Sequence, residues 1–382
     1  MARRLDGLGT TIFAEMSALA VATGSINLGQ GFPDTDGPAE IVDAVVEALR
    51  SGTSNQYPPG PGIPALRTAI ADHGRRFWGL DHDPDTEVLV TTGATEAIAA
   101  AVLGLVNPGE EVIAFEPWYD SYAATIAMAG GVRRAVTLRA PDFALDPSEL
   151  RAAVTPRTKA ILLNTPHNPT GRVLSRAELA AVAAVAIEHD LLVISDEVYE
   201  HLVFDGEHVP IGALPGMRER TVRISSAGKT FSFTGWKIGW ACGPADLVAA
   251  VRTAKQFLTY VSGAPFQPAV ARALALPDTY FKGFRDNLLA RRDQLSAGLA
   301  ELGFEVIPAA GTYFVTTDVR PLGYTDGLAF CRELPHKAGV VAIPLSVFYD
   351  NADAGRSLVR WAFCKRPEVL DAALDRLRGA LG

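Results

Sequence analysis

The sequence has few cysteines and no long uninterrupted apolar stretch. Its three cysteines, Cys242, Cys331 and Cys364, share no paired motif, so we expect no disulfide framework, and a reducing cytosol fits this composition. No apolar run is long enough to span a membrane, and the segment that follows Met1 lacks the apolar core of a signal peptide. These absences predict a soluble cytoplasmic protein without a membrane partner.

Positive charge is also in deficit, because 35 lysines and arginines face 43 acidic residues and leave a net charge of −8. With no basic stripe to neutralise phosphates, a nucleic-acid partner is not expected. None of the seven histidines pairs at the spacing of a metal-binding motif, so no metal is expected either. The 382 residues, of which 48% are hydrophobic, are enough for a large domain plus a smaller one.

From residue 87 onward, short apolar runs alternate with helical patterns, which is typical of an α/β fold with a mostly parallel sheet. Residues 191–194 form a fully apolar run of the kind that parallel sheets bury. Three later runs, 311–315, 340–343 and 357–363, have helical patterns between them and indicate a small α+β domain. In α/β sheets, ligands bind beyond the carboxyl ends of the strands.

One such strand end carries Lys229. The apolar run 221–224 stops at small residues, Lys229 follows, and a second apolar run begins at Lys237. A lone lysine is usually solvated at the surface, but here the small residues leave room for a flat ring. The amine could form a Schiff base with a carbonyl cofactor, while Ser226 and Lys237 could both reach a phosphate.

Three other turns carry groups suited to the same ligand. Gly93, Ala94 and Thr95 open a helix whose free amides and dipole favour an anion, which would form the third side of a phosphate site. Asp196 ends a buried apolar strand, where a carboxylate is costly unless it is paired. The Asn-Pro-Thr-Gly turn directs the amide of Asn168 inward as a hydrogen-bond donor.

Several residues keep two interpretations on sequence alone. Arg360, within an apolar strand, could be a packed ion-pair arginine, and its carboxylate-binding role is implied only by the resemblance described below. Trp118 and Tyr119 either pack into the core or offer one ring to a cofactor. Tyr57 is a packing residue or a phosphate ligand, and His167 is structural or faces the substrate.

The sequence Ser225-Ser226-Ala227-Gly228-Lys229-Thr230-Phe231, followed by Thr234-Gly235-Trp236-Lys237, resembles the cofactor-lysine motif of fold-type I, class I/II aminotransferases. It is most similar to the branch of kynurenine/glutamine transaminases, methionine aminotransferases and actinobacterial N-succinyldiaminopimelate aminotransferases. The similarity extends over nearly the whole chain and implies the pyridoxal-phosphate (PLP)-dependent transferase fold. That fold has a large domain, with a mostly parallel seven-stranded sheet between helices, and a small α+β domain. We expect residues 1–30 to form an arm that joins the small domain, 31–285 the cofactor-binding domain, and 286–382 the small domain.

The resemblance also assigns roles to cofactor-binding residues. It implies that Lys229 forms a Schiff base with pyridoxal 5'-phosphate and later acts as a base, that Asp196 pairs with the pyridine nitrogen, and that Tyr199 and Asn168 bond the phenolate oxygen. The ring would be covered by Tyr119, with Trp118 as second choice. The expected cofactor-binding set is Gly93, Ala94, Thr95, Tyr119, Asn168, Asp196, Tyr199, Ser226, Lys229 and Lys237, with Tyr57 of the other subunit.

The resemblance further implies substrate contacts and an assembly. Gly31, Asn168 and Arg360 would bind the substrate α-carboxylate, with Lys229, Asp196 and Tyr199 as the catalytic residues. Because Tyr57 would reach the phosphate of the neighbouring subunit, we expect a homodimer with shared active sites.

The implied reaction moves an amino group between an L-amino acid and a 2-oxo acid by a ping-pong mechanism. Donors similar to N-succinyl-LL-diaminopimelate, glutamine or methionine are expected. Large aromatic donors are less expected, since Thr95 stands where relatives that use them often carry tyrosine. One alternative is β-lyase activity on cysteine S-conjugates at the same site. A non-catalytic regulator would need a DNA-binding module, for which the roughly thirty residues before Phe32 are too few.

Overall fold

The computed structural model describes residues 2–381, so Met1 and Gly382, the ends of the predicted arm and small domain, lie outside the described residues. Within residues 2–381, helices α1 to α13 occupy Ile12–Thr23, Ala39–Ser51, Pro64–Trp78, Gly93–Leu105, Asp120–Met128, Pro147–Ala153, Arg176–Glu188, Ala227–Thr230, Ala245–Gln256, Phe266–Leu274, Asp278–Glu301, Gly327–Ala338 and Pro367–Leu381. Strands β1 to β13 occupy Ile26–Asn27, Val88–Thr92, Glu111–Glu116, Val132–Thr137, Thr158–Asn164, Leu192–Asp196, Thr221–Ser226, Ile238–Cys242, Glu305–Ile307, Phe314–Asp318, Val340–Val341, Ile343–Pro344 and Leu358–Ala362.

The largest sheet has seven strands in the order β2-β8-β7-β6-β5-β3-β4. Only β8 runs antiparallel to its neighbours, β2 and β7, and the other adjacent pairs are parallel. Strands β3, β7 and β8 are buried along their whole length, as expected for a sheet that helices cover on both faces. The predicted α/β fold with a mostly parallel seven-stranded sheet is therefore confirmed.

A second, antiparallel sheet has four strands in the order β12-β13-β10-β9. The strand β1, near the start of the chain, pairs in parallel with β11, and α1 packs against α12, so these two N-terminal elements lie against the C-terminal part of the chain. The long helix α11 packs against β9, β10 and α13. The exact domain limits at residues 30 and 285 stay predictions. No helix in residues 2–381 has the length and hydropathy needed to cross a bilayer.

One turn differs in detail from the sequence prediction. Lys229 lies in a short helical turn, α8, rather than in a plain tight turn between two strands. Gly228 makes this turn possible, because a Cβ atom there would come within 3.1 Å of the Thr234 backbone. Such a close backbone approach is not encoded in the apolar periodicity. Helix α4, in contrast, begins at Gly93, where the sequence predicts that a helix opens.

Candidate active site

A cavity of about 340 Å³ opens beyond the carboxyl ends of the parallel strands. Strands β5, β6 and β7 end at its wall, and the turns that follow β2 and β3 complete it. It is lined by twelve of the thirteen residues predicted from sequence: Gly31, Gly93, Ala94, Thr95, Tyr119, Asn168, Asp196, Tyr199, Ser226, Lys229, Lys237 and Arg360. The chain thus gathers in one cavity groups that are up to 329 residues apart (360 − 31).

One end of the cavity is suited to an anion. Gly93 begins α4 with φ of +72°, and a Cβ atom on it would lie 3.3 Å from the Lys237 amine. A Cβ atom on Gly239 would meet the Gly93 carbonyl carbon at 2.5 Å, so β8 packs directly against the first turn of α4. This packing places the Lys237 ammonium, the free amides of α4 and the Ser226 hydroxyl around one space, as a phosphate requires.

Lys229 projects into the middle of the cavity. Its Nζ donates to the Tyr313 hydroxyl at 2.9 Å and to the Gly31 carbonyl at 3.4 Å. Burial lowers the pKa of Lys229 to about 8, and the nearby charge of Lys237 contributes in the same direction. A substantial share of its amine is therefore neutral near physiological pH, as a nucleophile or a general base requires.

Asp196, the last residue of β6, lines the cavity. Its carboxylate accepts a hydrogen bond from the Tyr122 hydroxyl at 2.6 Å and one from the Val198 amide at 3.3 Å. Burial raises the pKa of Asp196 to about 6, although the Tyr122 bond opposes this shift. No arginine or lysine in residues 2–381 forms an ion pair with it, so its charge is stabilised mainly by these hydrogen bonds, with a smaller contribution from the more distant charge of Lys229.

The next residue, Glu197, points to the opposite face of the sheet and meets a different environment. It accepts from Arg223 Nε at 2.7 Å and from Ser195 Oγ at 2.8 Å, and it contacts His208 Nε2 at 3.0 Å. Burial alone would raise the pKa of Glu197, but Arg223 and His208 outweigh it and lower the value to about 2. Adjacent carboxylates therefore have opposite properties, and only Asp196 is available to a ligand in the cavity.

Arg223 also forms an ion pair with Glu200, close to two histidines that sequence spacing did not connect. His73 and His201, 128 residues apart, have their Nε2 atoms 2.8 Å from each other. Together with Glu200 they are near enough to act as metal ligands, but the guanidinium of Arg223 already supplies a positive charge to this carboxylate. The prediction that the chain binds no metal stays a prediction.

For His167, the position in the structure favours a structural role over a role facing the substrate. It is buried outside the cavity lining, its Nδ1 lies 2.7 Å from Thr170 Oγ1, and burial lowers its pKa to about 3. In the unfolded chain the pKa of a histidine is about 6.5, so above that pH the ring of His167 is neutral in both the folded and the unfolded state. As the pH falls from 6.5 toward 3, the unfolded state binds a proton that the folded state does not bind, and the free energy of unfolding decreases.

We therefore expect His167→Asn to reduce the acid sensitivity of folding. Between pH 6.5 and 5 the wild-type histidine should lower the free energy of unfolding by about 2 kcal/mol, a loss that the variant would not show. Urea unfolding at both pH values measures the difference. The exposed His336, changed to asparagine, is the control and should leave the pH dependence as it is. Equal pH dependence in His167→Asn and wild type would contradict this account.

Arg360 is buried in the wall of the cavity and forms no ion pair with a carboxylate in residues 2–381. Its Nη1 donates to Asn168 Oδ1 at 2.9 Å and its Nη2 to the Gly29 carbonyl at 2.7 Å, while the guanidinium lies 3.9 Å from the Phe314 ring centroid. Its buried Nε has no hydrogen-bond partner. Burial lowers the pKa of Arg360 to about 10, so it stays charged at neutral pH. This arrangement favours the carboxylate-ligand interpretation over a structural ion pair.

The remaining polar and aromatic residues frame the cavity. Since Asn168 accepts from Arg360 through Oδ1, its amide nitrogen is left as a donor. Tyr119 lines the cavity, whereas Trp118 packs in the core beneath the Arg133 guanidinium. Of the two aromatic candidates for covering a cofactor ring, Tyr119 is therefore the one that faces the cavity. Burial raises the pKa of Tyr199, which keeps its hydroxyl protonated as a donor.

Of the expected cofactor- and substrate-binding set, Tyr57 is the residue that does not line the cavity. Its side chain is 80% exposed and packs edge-on against Tyr260, with ring centroids 5.6 Å apart. Phe257 and Leu258, which are close to Tyr260 in the sequence, are also exposed. Within one chain, Tyr57 therefore does not contribute to the site.

Sequence reasoning missed several residues of the site. Tyr122, which bonds Asp196, sits two residues into a helix and has no sequence signal. The side chain of Asn164 accepts from the backbone amide of Asn168 at 2.8 Å and donates to the Asp196 backbone carbonyl at 2.9 Å, a role that its place at the end of β5 could have suggested. Phe13 and Gln30 line the cavity from the N-terminal segment, and Tyr313 lies just behind Lys229.

Comparison with known proteins gives one consistent result. The family model for aminotransferase class I and II matches residues 23–377. The chain is 58% identical to a probable N-succinyldiaminopimelate aminotransferase of Mycobacterium tuberculosis, covering 98% of this chain and 97% of that protein. It is 43% identical to a methionine aminotransferase of Escherichia coli, with coverage of 98% and 97%.

The solved structures agree. The structure of N-succinyldiaminopimelate aminotransferase from Mycobacterium tuberculosis superposes with a TM-score of 0.97 at 58% identity, covering all of both chains. The predicted family resemblance is confirmed, and the cavity described above lies in an enzyme fold. The chain belongs to the class I and II aminotransferases, the PLP-dependent transaminases.

Proposed function

We propose that the chain binds pyridoxal 5'-phosphate through Lys229 and transfers amino groups between an L-amino acid and a 2-oxo acid by a ping-pong mechanism. One observation carries this proposal: one cavity holds a buried lysine with a lowered pKa, together with a buried aspartate and a buried arginine that form no ion pair within residues 2–381. Each of these three groups lacks a partner that cofactor or substrate would supply.

The residues present fit the cofactor. Gly93, Ser226 and Lys237 would hold its phosphate, Asp196 would face its pyridine nitrogen, and Tyr119 would cover its ring. Burial of Asp196 is costly without a cation, and a protonated ring nitrogen would relieve that cost. When bound, the cofactor supplies an aldehyde that joins to amines and a ring that accepts electrons from the Cα–H bond.

The chain's own residues would then orient the substrate and move the proton. Arg360 offers its fork to the α-carboxylate, with the Asn168 amide and the backbone at Gly31 beside it. Lys229, with a pKa of about 8, would accept the Cα proton of the amino donor on its neutral amine, and in the second half of the reaction its ammonium would give a proton to the Cα position of the 2-oxo acid acceptor. Tyr199 and Asn168 would donate hydrogen bonds to the phenolate oxygen of the cofactor ring.

The proposed enzyme is a homodimer. Its support is the exposed aromatic pair Tyr57 and Tyr260, which a second copy would cover, and the absence of Tyr57 from its own chain's cavity. In this assembly Tyr57 reaches the cofactor phosphate of the partner. Light scattering of the purified protein tests the proposal, and a monomeric mass throughout the micromolar range would contradict it.

The proposed donors are N-succinyl-LL-diaminopimelate or amino acids similar to methionine, because the two relatives described above are named for such donors. Donors similar to glutamine are proposed from the sequence resemblance alone. A panel of these three with glutamate, phenylalanine and kynurenine, each tested with several 2-oxo acids, identifies the substrate. Ping-pong kinetics should give parallel double-reciprocal plots. Release of pyruvate and ammonia from cysteine S-conjugates, without transfer from any donor, would instead establish the β-lyase alternative.

We expect Arg360→Lys to raise KM for the amino donor by about 10-fold to 100-fold, since lysine cannot form the two parallel hydrogen bonds of a guanidinium. The cofactor affinity should change little. Steady-state kinetics and cofactor titration measure the two effects separately. Arg292→Lys is the control, because Arg292 also lies near a phenylalanine ring, 5.3 Å from Phe204, but outside the cavity. A change in cofactor affinity without a change in KM would contradict the carboxylate role of Arg360.

A further inference from the structure

Behind Lys229 lies a buried tyrosine that does not line the cavity. Tyr313 is fully buried just before β10, and its ring packs edge-on against Tyr199 with centroids 5.1 Å apart. Its hydroxyl donates to the Gly31 carbonyl and accepts from Lys229 Nζ at 2.9 Å. It therefore joins the lysine to the N-terminal segment that borders the substrate end of the cavity.

The hydroxyl of Tyr313 makes two hydrogen bonds of opposite direction. It donates its single proton to the Gly31 carbonyl, and its oxygen accepts from Lys229 Nζ. The ammonium form of Lys229 can only donate, and the neutral amine keeps the same direction as long as the Tyr313 proton stays on the Gly31 carbonyl. Burial raises the pKa of Tyr313, so this proton is present at neutral pH. A neutral Lys229 amine that donates to Tyr313 and to the Gly31 carbonyl directs its lone pair away from both oxygens.

The backbone beside Tyr313 is held in an unfavourable conformation. Thr312 has φ of +67°, which is rare for a β-branched residue. It is kept there by its amide, which donates to the Leu202 carbonyl at 2.9 Å, and by its hydroxyl, which accepts from the Phe314 amide at 3.1 Å. Strain of this kind persists where surrounding structure enforces it, commonly at functional sites. Here it places the side chain of Tyr313 under Lys229.

We propose that Tyr313 is a positioning residue that holds the free amine of Lys229 and aims its lone pair whenever the lysine is not joined to the cofactor. This inference rests on the proposed function, in which the freed amine carries the proton. Gly31 takes part through its carbonyl, and a Cβ atom there would come within 2.5 Å of the Phe314 ring, so only glycine allows this contact.

The first test uses the protein without cofactor. The rate at which an amine-reactive reagent labels Lys229, followed by peptide mass spectrometry across pH, reports the pKa of its amine. In wild type the midpoint should lie near pH 8. In Tyr313→Phe it should fall, because the tyrosine oxygen accepts more strongly from the ammonium form than from the neutral amine. Unchanged midpoints would overturn the proposal.

The second test uses the loaded enzyme and an amino donor with deuterium at Cα. Tyr313→Phe should lower kcat by about 10-fold to 100-fold, leave KM within about threefold, and enlarge the isotope effect, since proton transfer becomes slower. A lower kcat without a larger isotope effect would point to a structural role and overturn the proposal.

Tyr349→Phe is the matched control. Tyr349 is also buried, and its hydroxyl donates to the Leu138 carbonyl at 3.1 Å away from the cavity lining. It should change neither the Lys229 labelling midpoint nor the isotope effect, and circular dichroism verifies the folding of both variants. If wild type itself takes up no cofactor, the proposed function fails, whereas the labelling test still decides whether Tyr313 holds the amine.

Discussion

Replacing Lys229 with alanine is expected to lower kcat/KM for transamination by at least about 10⁴-fold, because one side chain supplies both the covalent attachment and the proton transfer. Lys229 is the lysine in the centre of the cavity, and burial lowers its pKa to about 8. Steady-state assays with the preferred donor measure the loss. Small activity should return with added external amines, which replace the base but not its position.

Two further variants separate the role of the amine from the role of its charge. Lys229→Arg keeps a positive charge but cannot act as the nucleophile, so it should be as inactive as alanine. Lys255→Met removes another buried lysine, whose amine donates to the Tyr260 carbonyl at 2.5 Å outside the cavity, and should retain most of the activity. Substantial activity in Lys229→Arg would refute the nucleophile role.

The second large effect is expected for Asp196→Asn. Asparagine keeps the shape and can still accept from Tyr122, but it removes the negative charge opposite the cofactor ring nitrogen. We expect kcat to fall by about 10³-fold, the scale seen when a buried charge or a preorganised electrostatic contact is removed. The free energy of unfolding should not fall, since the buried charge of Asp196 forms no ion pair in residues 2–381 and its burial is costly.

Glu197→Gln is the control from the adjacent position. It breaks the buried pair with Arg223 and should destabilise the fold by about 3 to 5 kcal/mol, while the folded fraction keeps its activity. Urea unfolding and kcat should therefore change in opposite ways. Asp196→Asn should lower kcat without lowering the free energy of unfolding, whereas Glu197→Gln should lower the free energy of unfolding without lowering the kcat of the folded protein. If Asp196→Asn instead destabilised the fold and left kcat intact, Asp196 would be a structural residue.

The fold and most of the cavity lining could be predicted because the signals are local. Asp196 ends an apolar run, Gly93 opens a helical pattern, and Ser226 and Lys229 follow a strand. Since the carboxyl ends of parallel strands meet at one edge of a sheet, local signals become a shared site. Arg360 required the family resemblance, because an arginine in a strand of a separate sheet carries no local sign of its partner Asn168, 192 residues away.

What the sequence did not reveal are contacts between distant residues of common types. Tyr122 and Asp196 are 74 residues apart, Tyr313 and Lys229 are 84 apart, and neither tyrosine lies in a motif. The pair of His73 and His201 joins a helix to a turn after β6, so no spacing rule applies. Such contacts depend on the packing of elements, which the order of residues alone does not specify. The contact proposed for Tyr57 depends on a second chain.

The central claim is that Lys229 carries the cofactor, and chemical trapping tests it most directly. Purified protein is incubated with pyridoxal 5'-phosphate, reduced with borohydride to fix the linkage, digested and examined by mass spectrometry. The account predicts that the added mass lies on the peptide containing Lys229 and is lost when an amino donor is added before reduction. A modification on another lysine, or none at all, would contradict the assignment and the function built on it.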